Sequence, residues 1–100
     1  MERYNVMIFP SAQQDLKEVV DYINELSPDA ALKTYDNIVE SIIALEDMPM
    51  RSPFLKNPEL RAKGYRVLIV QNYLVFYVVN NMTVEIRRIL YGKRRYEGLL

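Results

Sequence analysis

One hundred residues, half of them hydrophobic and 26% charged, amount to one small folding unit with a single modest core. The lack of cysteine excludes disulfides and thiolate metal sites. The lack of histidine removes the usual general base and metal ligand, so any catalysis falls to Lys, Arg, Tyr or carboxylates. The formal net charge of zero hides a split: residues 1–50 carry three cations against ten anions, and residues 51–100 ten cations against three anions. That balance of −7 against +7 predicts an acidic helical side and a basic sheet side. No stretch approaches the roughly 20 apolar residues that span a bilayer. The N-terminal MERYNVMIFPSAQQD has neither an apolar h-region nor a small-residue cleavage site. A cytoplasmic domain over residues 1–100, with no membrane partner and no cofactor, is the expectation.

Tyr4 to Phe9 alternates around Val6, Ile8 and Phe9 and reads as an opening strand, ended by Pro10. Ser11 followed by Gln14 fits a capping box for the next helix. Ala12, Leu16, Val19, Val20, Ile23 and Leu26 recur at helical spacing, with Asp15, Lys17, Glu18 and Asp21 off that stripe. Ser27-Pro28 breaks this helix and starts a second, capped by Ser27. The second stripe runs through Ala31, Tyr35, Ile38, Ile42 and Leu45, widened by Leu32, Val39 and Ile43, and Met48-Pro49 ends it. The short link predicts an antiparallel helical hairpin.

Met50 to Gly64 reads as a loop holding Arg51, Lys56, Arg61 and Lys63, of a length that is often functional. Then GYRVLIVQNYLVFYVV and TVEIRRILYGKRRYEGLL give three apolar runs parted by Gln71-Asn72 and Asn80-Asn81-Met82, a three-stranded meander. The predicted fold is α+β, in the order β-α-α-β-β-β, with the helical hairpin packed on one face of a small, mainly antiparallel sheet. Its last strand runs into Arg87, Arg88, Lys93, Arg94 and Arg95 with Tyr91 and Tyr96 among them. Such a cluster suits phosphate or a strongly acidic partner.

The order of elements, the opening Ala12, Asp15-Leu16 and Tyr22-Ile23, Pro49 followed by Gly64-Tyr65-Arg66, the strand NYLVFYVV and the closing RRILYGKRRYEGLL resemble the RelE/ParE superfamily of toxins from type II toxin–antitoxin modules. The resemblance covers nearly the whole chain. It implies a toxin neutralised by a cognate antitoxin in a hetero-oligomer, and a place in growth inhibition and plasmid stabilization. It also implies one of two mechanisms. RelE-like members cut mRNA on the ribosome with cationic and tyrosine side chains, as metal-independent endoribonucleases (mRNA interferases). ParE-like members lack that set and poison DNA gyrase.

Metal-free RNA cleavage must deprotonate a 2′-OH, stabilise an anionic phosphorane and protonate the leaving oxygen. Through the GYR and GKR strings, Arg66 and Arg94 match RelE-type arginines, with Lys93 beside Arg94 and Tyr91 where many relatives carry His. Those four are the candidate catalytic residues; Arg61, Lys63, Arg88, Arg95 and Tyr96 are candidates for substrate binding. Plainer roles stand beside each. Arg66 can bridge to an acidic residue or the chain end, and Arg88, alternating with Val84 and Ile86, can lay its stem on the core. Tyr91 and Tyr96 can be core-edge rings. Tyr73 and Tyr77 read as core, and Glu85 and Glu97 as ordinary cross-strand or surface partners.

This chain departs from the RelE-like pattern in three ways. Leu99-Leu100 stands at the C-terminal tyrosine position, Tyr91-Gly92-Lys93-Arg94-Arg95 replaces a His-Gly-Arg-Arg-Asp run, and the net charge is neutral. The preserved arginines favour mRNA cleavage, narrowly ahead of gyrase poisoning, with a non-catalytic binding module as a third reading.

Overall fold

Strand β1 (Asn5–Ile8) ends at Phe9, and helix α1 (Pro10–Leu26) begins on the proline itself in a computed structural model that describes residues 3–92 and 95–100. The Ser11–Gln14 capping box is therefore corrected: Phe9 is the N-cap, and no side chain caps it. Proline is suited to the first helical position, because its missing N–H would have no intrahelical partner and its φ is already helical. The same device starts helices α2 (Pro28–Ile43) and α3 (Pro58–Ala62). Those two do carry side-chain caps. Ser27 Oγ accepts from the Ala30 amide at 3.3 Å, and Asn57 Oδ1 accepts from the Glu59 and Leu60 amides at 3.0 and 3.1 Å. A short 3₁₀ turn, Ala44–Glu46, closes α2 before Pro49.

Strands β2 (Tyr65–Val70), β3 (Tyr73–Asn80) and β4 (Thr83–Tyr91) form the expected antiparallel meander, and the sheet order is β1-β4-β3-β2. β1 joins it parallel to β4, with Ile8 opposite Ile86. Both hairpin turns use a left-handed residue, Gln71 and Asn81 at φ 55°; asparagine tolerates this well and glutamine less so.

The alternation of β3 assigns its residues to two cores. Val75 and Tyr77 join Ala12, Leu16, Ile38, Ile42 and Ile86 beneath the helical hairpin. Phe76 and Val78 join Leu55, Leu60, Tyr65 and Leu90 on the opposite face, with Tyr96, Leu99 and Leu100 packed over them. The C-terminal residues thus dock on the sheet. The Tyr77 hydroxyl, fully buried, donates to the Pro49 carbonyl at 2.8 Å.

Two details of the expected stripes are corrected. Tyr35, Leu32 and Ile43 are exposed, so the buried line of α2 is narrower and includes Thr34, and Leu26 at the end of α1 is exposed too. Asp15, read as off the stripe, is buried. Among the described residues no helix is long and apolar enough to cross a membrane.

Candidate functional site: the cationic half of the sheet

A bulge in β4 decides where the arginines point. Tyr77 pairs with Ile86 and Phe76 with Arg88, which leaves Arg87 as the extra residue. The bulge hands the helix-facing position from Ile86 to Ile89, so Arg88 does not continue the Val84–Ile86 line. It meets Asp15 of α1 in a two-pronged pair, Nε to Oδ2 at 2.7 Å and Nη2 to Oδ1 at 2.8 Å. The same carboxylate accepts the Ile89 amide at 3.0 Å, and Arg88 Nη1 donates to the Leu99 carbonyl at 3.1 Å. One buried acid thereby ties α1, β4 and the C-terminal segment together. The hydrogen bond to Asp15 is the main force raising the Arg88 pKa above its ordinary value.

Arg87 is also engaged. It pairs with Glu85 at 2.7 Å, donates to the Tyr65 hydroxyl at 3.3 Å and lies 4.9 Å from the centre of the Phe9 ring. Burial opposes its charge, while these partners more than restore it and leave its pKa raised.

Arg66, a candidate catalytic residue from the sequence, bridges neither to an acid nor to the chain end among the described residues. Its Nη1 donates to the carbonyls of Ser52 at 2.7 Å and Met50 at 3.2 Å, and its guanidinium carbon stands 3.9 Å above the Phe54 ring. Around it the segment before α3 lies along the outer edge of β2. The Leu55 amide donates to the Tyr65 carbonyl at 3.0 Å and the Val67 amide to the Pro53 carbonyl at 3.2 Å. The expected loop over Met50–Gly64 is therefore part edge cover and part helix. Arg61 lies 5.5 Å from the same Phe54 ring, and Lys63 is exposed at the end of α3. Arg51, Lys56, Arg61 and Lys63 are exposed and form no ion pair among the described residues.

Tyr91 stands at the far end of β4, 44% exposed, in an edge-on contact with Tyr73 at 5.9 Å. Burial, then the neighbouring Tyr91 and Tyr22, push the Tyr73 phenol above its usual pKa of 10. A folded-state pKa raised above the unfolded value means that the contribution of this group is complete below pH 10 and is lost as pH rises past it. Tyr73→Phe is accordingly expected to flatten the decline of stability above pH 10, as measured by urea unfolding at stepped alkaline pH. An unchanged decline would count against a raised phenol pKa there.

Tyr96 packs on Phe76 at 4.8 Å, and Arg95 is exposed. Lys93 and Arg94 lie outside the described residues. Of the candidates inside them, Arg66 and Tyr91 do not converge. Arg66 is level with Ile86 through Tyr77, and Tyr91 lies five residues further along β4. At about 3.3 Å per residue and about 4.8 Å per strand, that is roughly 15 Å along the sheet and roughly 10 Å across it.

Asp15, Phe54 and Tyr22 join this arrangement without having been candidates from the sequence, where Asp15 and Tyr22 stood only as parts of the family resemblance. For Asp15 a signal existed: with Ala12 and Leu16 it sits at the three- and four-residue spacing of the core stripe.

The chain is matched over residues 6–96 by a family described as the ParE toxin of the type II toxin–antitoxin system, parDE. In structure it is similar to a chain of the chromosomal ParDE toxin–antitoxin system from P. aeruginosa. That likeness has 22% identity, covers 91% of this chain and 98% of the other, and has a TM-score of 0.74. A chain of the RelBE2 toxin–antitoxin complex from Mycobacterium tuberculosis is similar at 20% identity over 89% and 98%, with a TM-score of 0.65. At these identities the likeness is one of fold. No curated protein matches the chain in sequence.

Proposed function

This chain belongs to the ParE toxin family of type II toxin–antitoxin systems, and on that premise we propose that it acts as a ParE-like, non-enzymatic inhibitor of DNA gyrase held in check by a cognate antitoxin. The observation that carries this reading is the engagement of Arg66. Its guanidinium is spent on two backbone carbonyls and the Phe54 ring, well away from Tyr91. Stabilising a phosphorane needs donors already aimed at one reacting phosphate. Arg88 is likewise committed, to Asp15.

Ribosome-dependent mRNA cleavage, ranked first from the sequence, is the second reading. It draws on the exposed cations Arg51, Lys56, Arg61 and Lys63, which would suit an RNA backbone.

Purified gyrase with plasmid DNA separates the two. The chain is expected to trap broken DNA or block supercoiling, and to leave mRNA intact in a purified translation system. Arg66→Ala is expected to retain most of its toxicity. A fall on the order of 10²-fold or more in killing, with cuts at A-site codons and untouched gyrase, would reverse the order of the readings.

A further inference from the structure

Beside the far end of β4 lies an open cleft of about 500 Å³ between that strand and α1, lined by Glu18, Val19, Tyr22, Tyr73, Ile89 and Tyr91. Three tyrosine rings border one small space. Tyr73 and Tyr91 are edge-on at 5.9 Å, and Tyr22, 65% exposed, closes the helical side. The electrostatics of the cleft is one-sided. Among the described residues that line it, Asp15 is paired with Arg88, which leaves the exposed Glu18 carboxylate as the charge without an ion pair. Ring faces are negative, and a carboxylate beside them adds to the attraction for a cation.

The neighbouring backbone is open as well. β1 pairs with β4 only from Thr83 to Ile86, so the next residues of β4 have no strand on that side. The Gly92 amide bonds to the Asn72 carbonyl at 2.7 Å. By antiparallel alternation, the Ile89 and Tyr91 backbone groups then face away from β3. Asp15 takes the Ile89 amide; among the described residues the Ile89 carbonyl and the Tyr91 amide are left for a partner chain.

We propose that this cleft is a cation-recognition pocket, in which an arginine or lysine side chain from an extended segment of the antitoxin sits among Tyr22, Tyr73 and Tyr91 against Glu18. The proposal rests on the chain being the toxin of a toxin–antitoxin pair and is independent of the cellular target. The charge split supports this occupant. The half of the chain that carries α1 and α2 has an excess of seven anions, so a partner lying across α1 is matched by basic side chains there.

The test is the affinity of the co-encoded antitoxin for the full chain carrying Tyr22→Phe, Tyr22→Leu or Glu18→Gln. Both positions are exposed on α1, so the fold should survive, which circular dichroism would verify. Tyr22→Phe keeps the ring face and is expected to leave Kd unchanged, whereas Tyr22→Leu raises it about tenfold. Glu18→Gln should weaken binding and reduce its salt dependence. One antitoxin Arg or Lys, changed to Met, should show no further loss in combination with Tyr22→Leu. Equal affinity for the Phe and Leu variants, whether both tolerated or both impaired, overturns the proposal. Failure of the co-encoded protein to bind the unaltered chain removes both this proposal and the pairing on which it rests.

Discussion

Asp15→Ala is expected to destabilise the protein by about 3–5 kcal/mol, the range for removing one partner of a buried ion pair. In a domain of this size that is a fall in Tm of roughly 12 °C or more. The Asp15 side chain is 7% exposed and that of Arg88 20%, so solvent can replace the lost contacts only in part. Alanine leaves a guanidinium without its counter-charge and the Ile89 amide without its acceptor. It also frees the arginine that holds the Leu99 carbonyl. Asp15→Asn keeps the shape and one acceptor and should fall between the two. The Lys17–Asp21 pair on the same helix, 68% and 62% exposed, is the natural control, since Asp21→Ala should cost little by comparison. A loss below about 1 kcal/mol for Asp15→Ala in urea unfolding would show that the pair does not hold the three elements together.

Phe76→Ala should have a comparable effect for a different reason. Phe76 is fully buried in the second core, on the face away from the helical hairpin. Truncating such a ring costs about 3–5 kcal/mol through lost transfer energy and the cavity it leaves. Its partner is Tyr96, at 4.8 Å, so the substitution also removes the platform under the C-terminal residues. Limited trypsin digestion should then cut at Arg95 in the variant well before it cuts the parent chain. If Arg95 stays protected, the Arg88–Leu99 bond alone anchors the segment. Tyr96→Ala should expose the same site at a smaller cost in stability, because its ring is only partly buried.

The element order, the helical hairpin and the meander were legible because their signals are local. Pro28 starts α2 and Ser27 caps it, and β3 is an unbroken apolar run between two short polar turns. The errors lie where tertiary structure decides. A bulge cannot be seen in a run such as VEIRRIL, so the expected alignment of Arg88 with Val84 and Ile86 followed the unbroken period of two. Asp15 looked like a solvated charge because only the fold brings Arg88, 73 residues away, to meet it. The candidate cations were found as residue types, but neither Phe54 under Arg66 nor the distance from Arg66 to Tyr91 follows from spacing along the chain. Tyr22 entered the cleft by the same route, since its place beside Tyr73 and Tyr91 depends on how α1 crosses the sheet.

The parallel pairing of β1 with β4 has a consequence for the nascent chain. Ile8 waits for Ile86, and β4, which lies between β1 and β3 in the finished sheet, is the last of the four strands to leave the ribosome. Until then β1 has no neighbour, and the helical hairpin lacks the Val84, Ile86 and Ile89 side chains that fill its core. Contacts this distant in sequence close late. The opening strand and the helical hairpin therefore complete their packing only after β4 has been made.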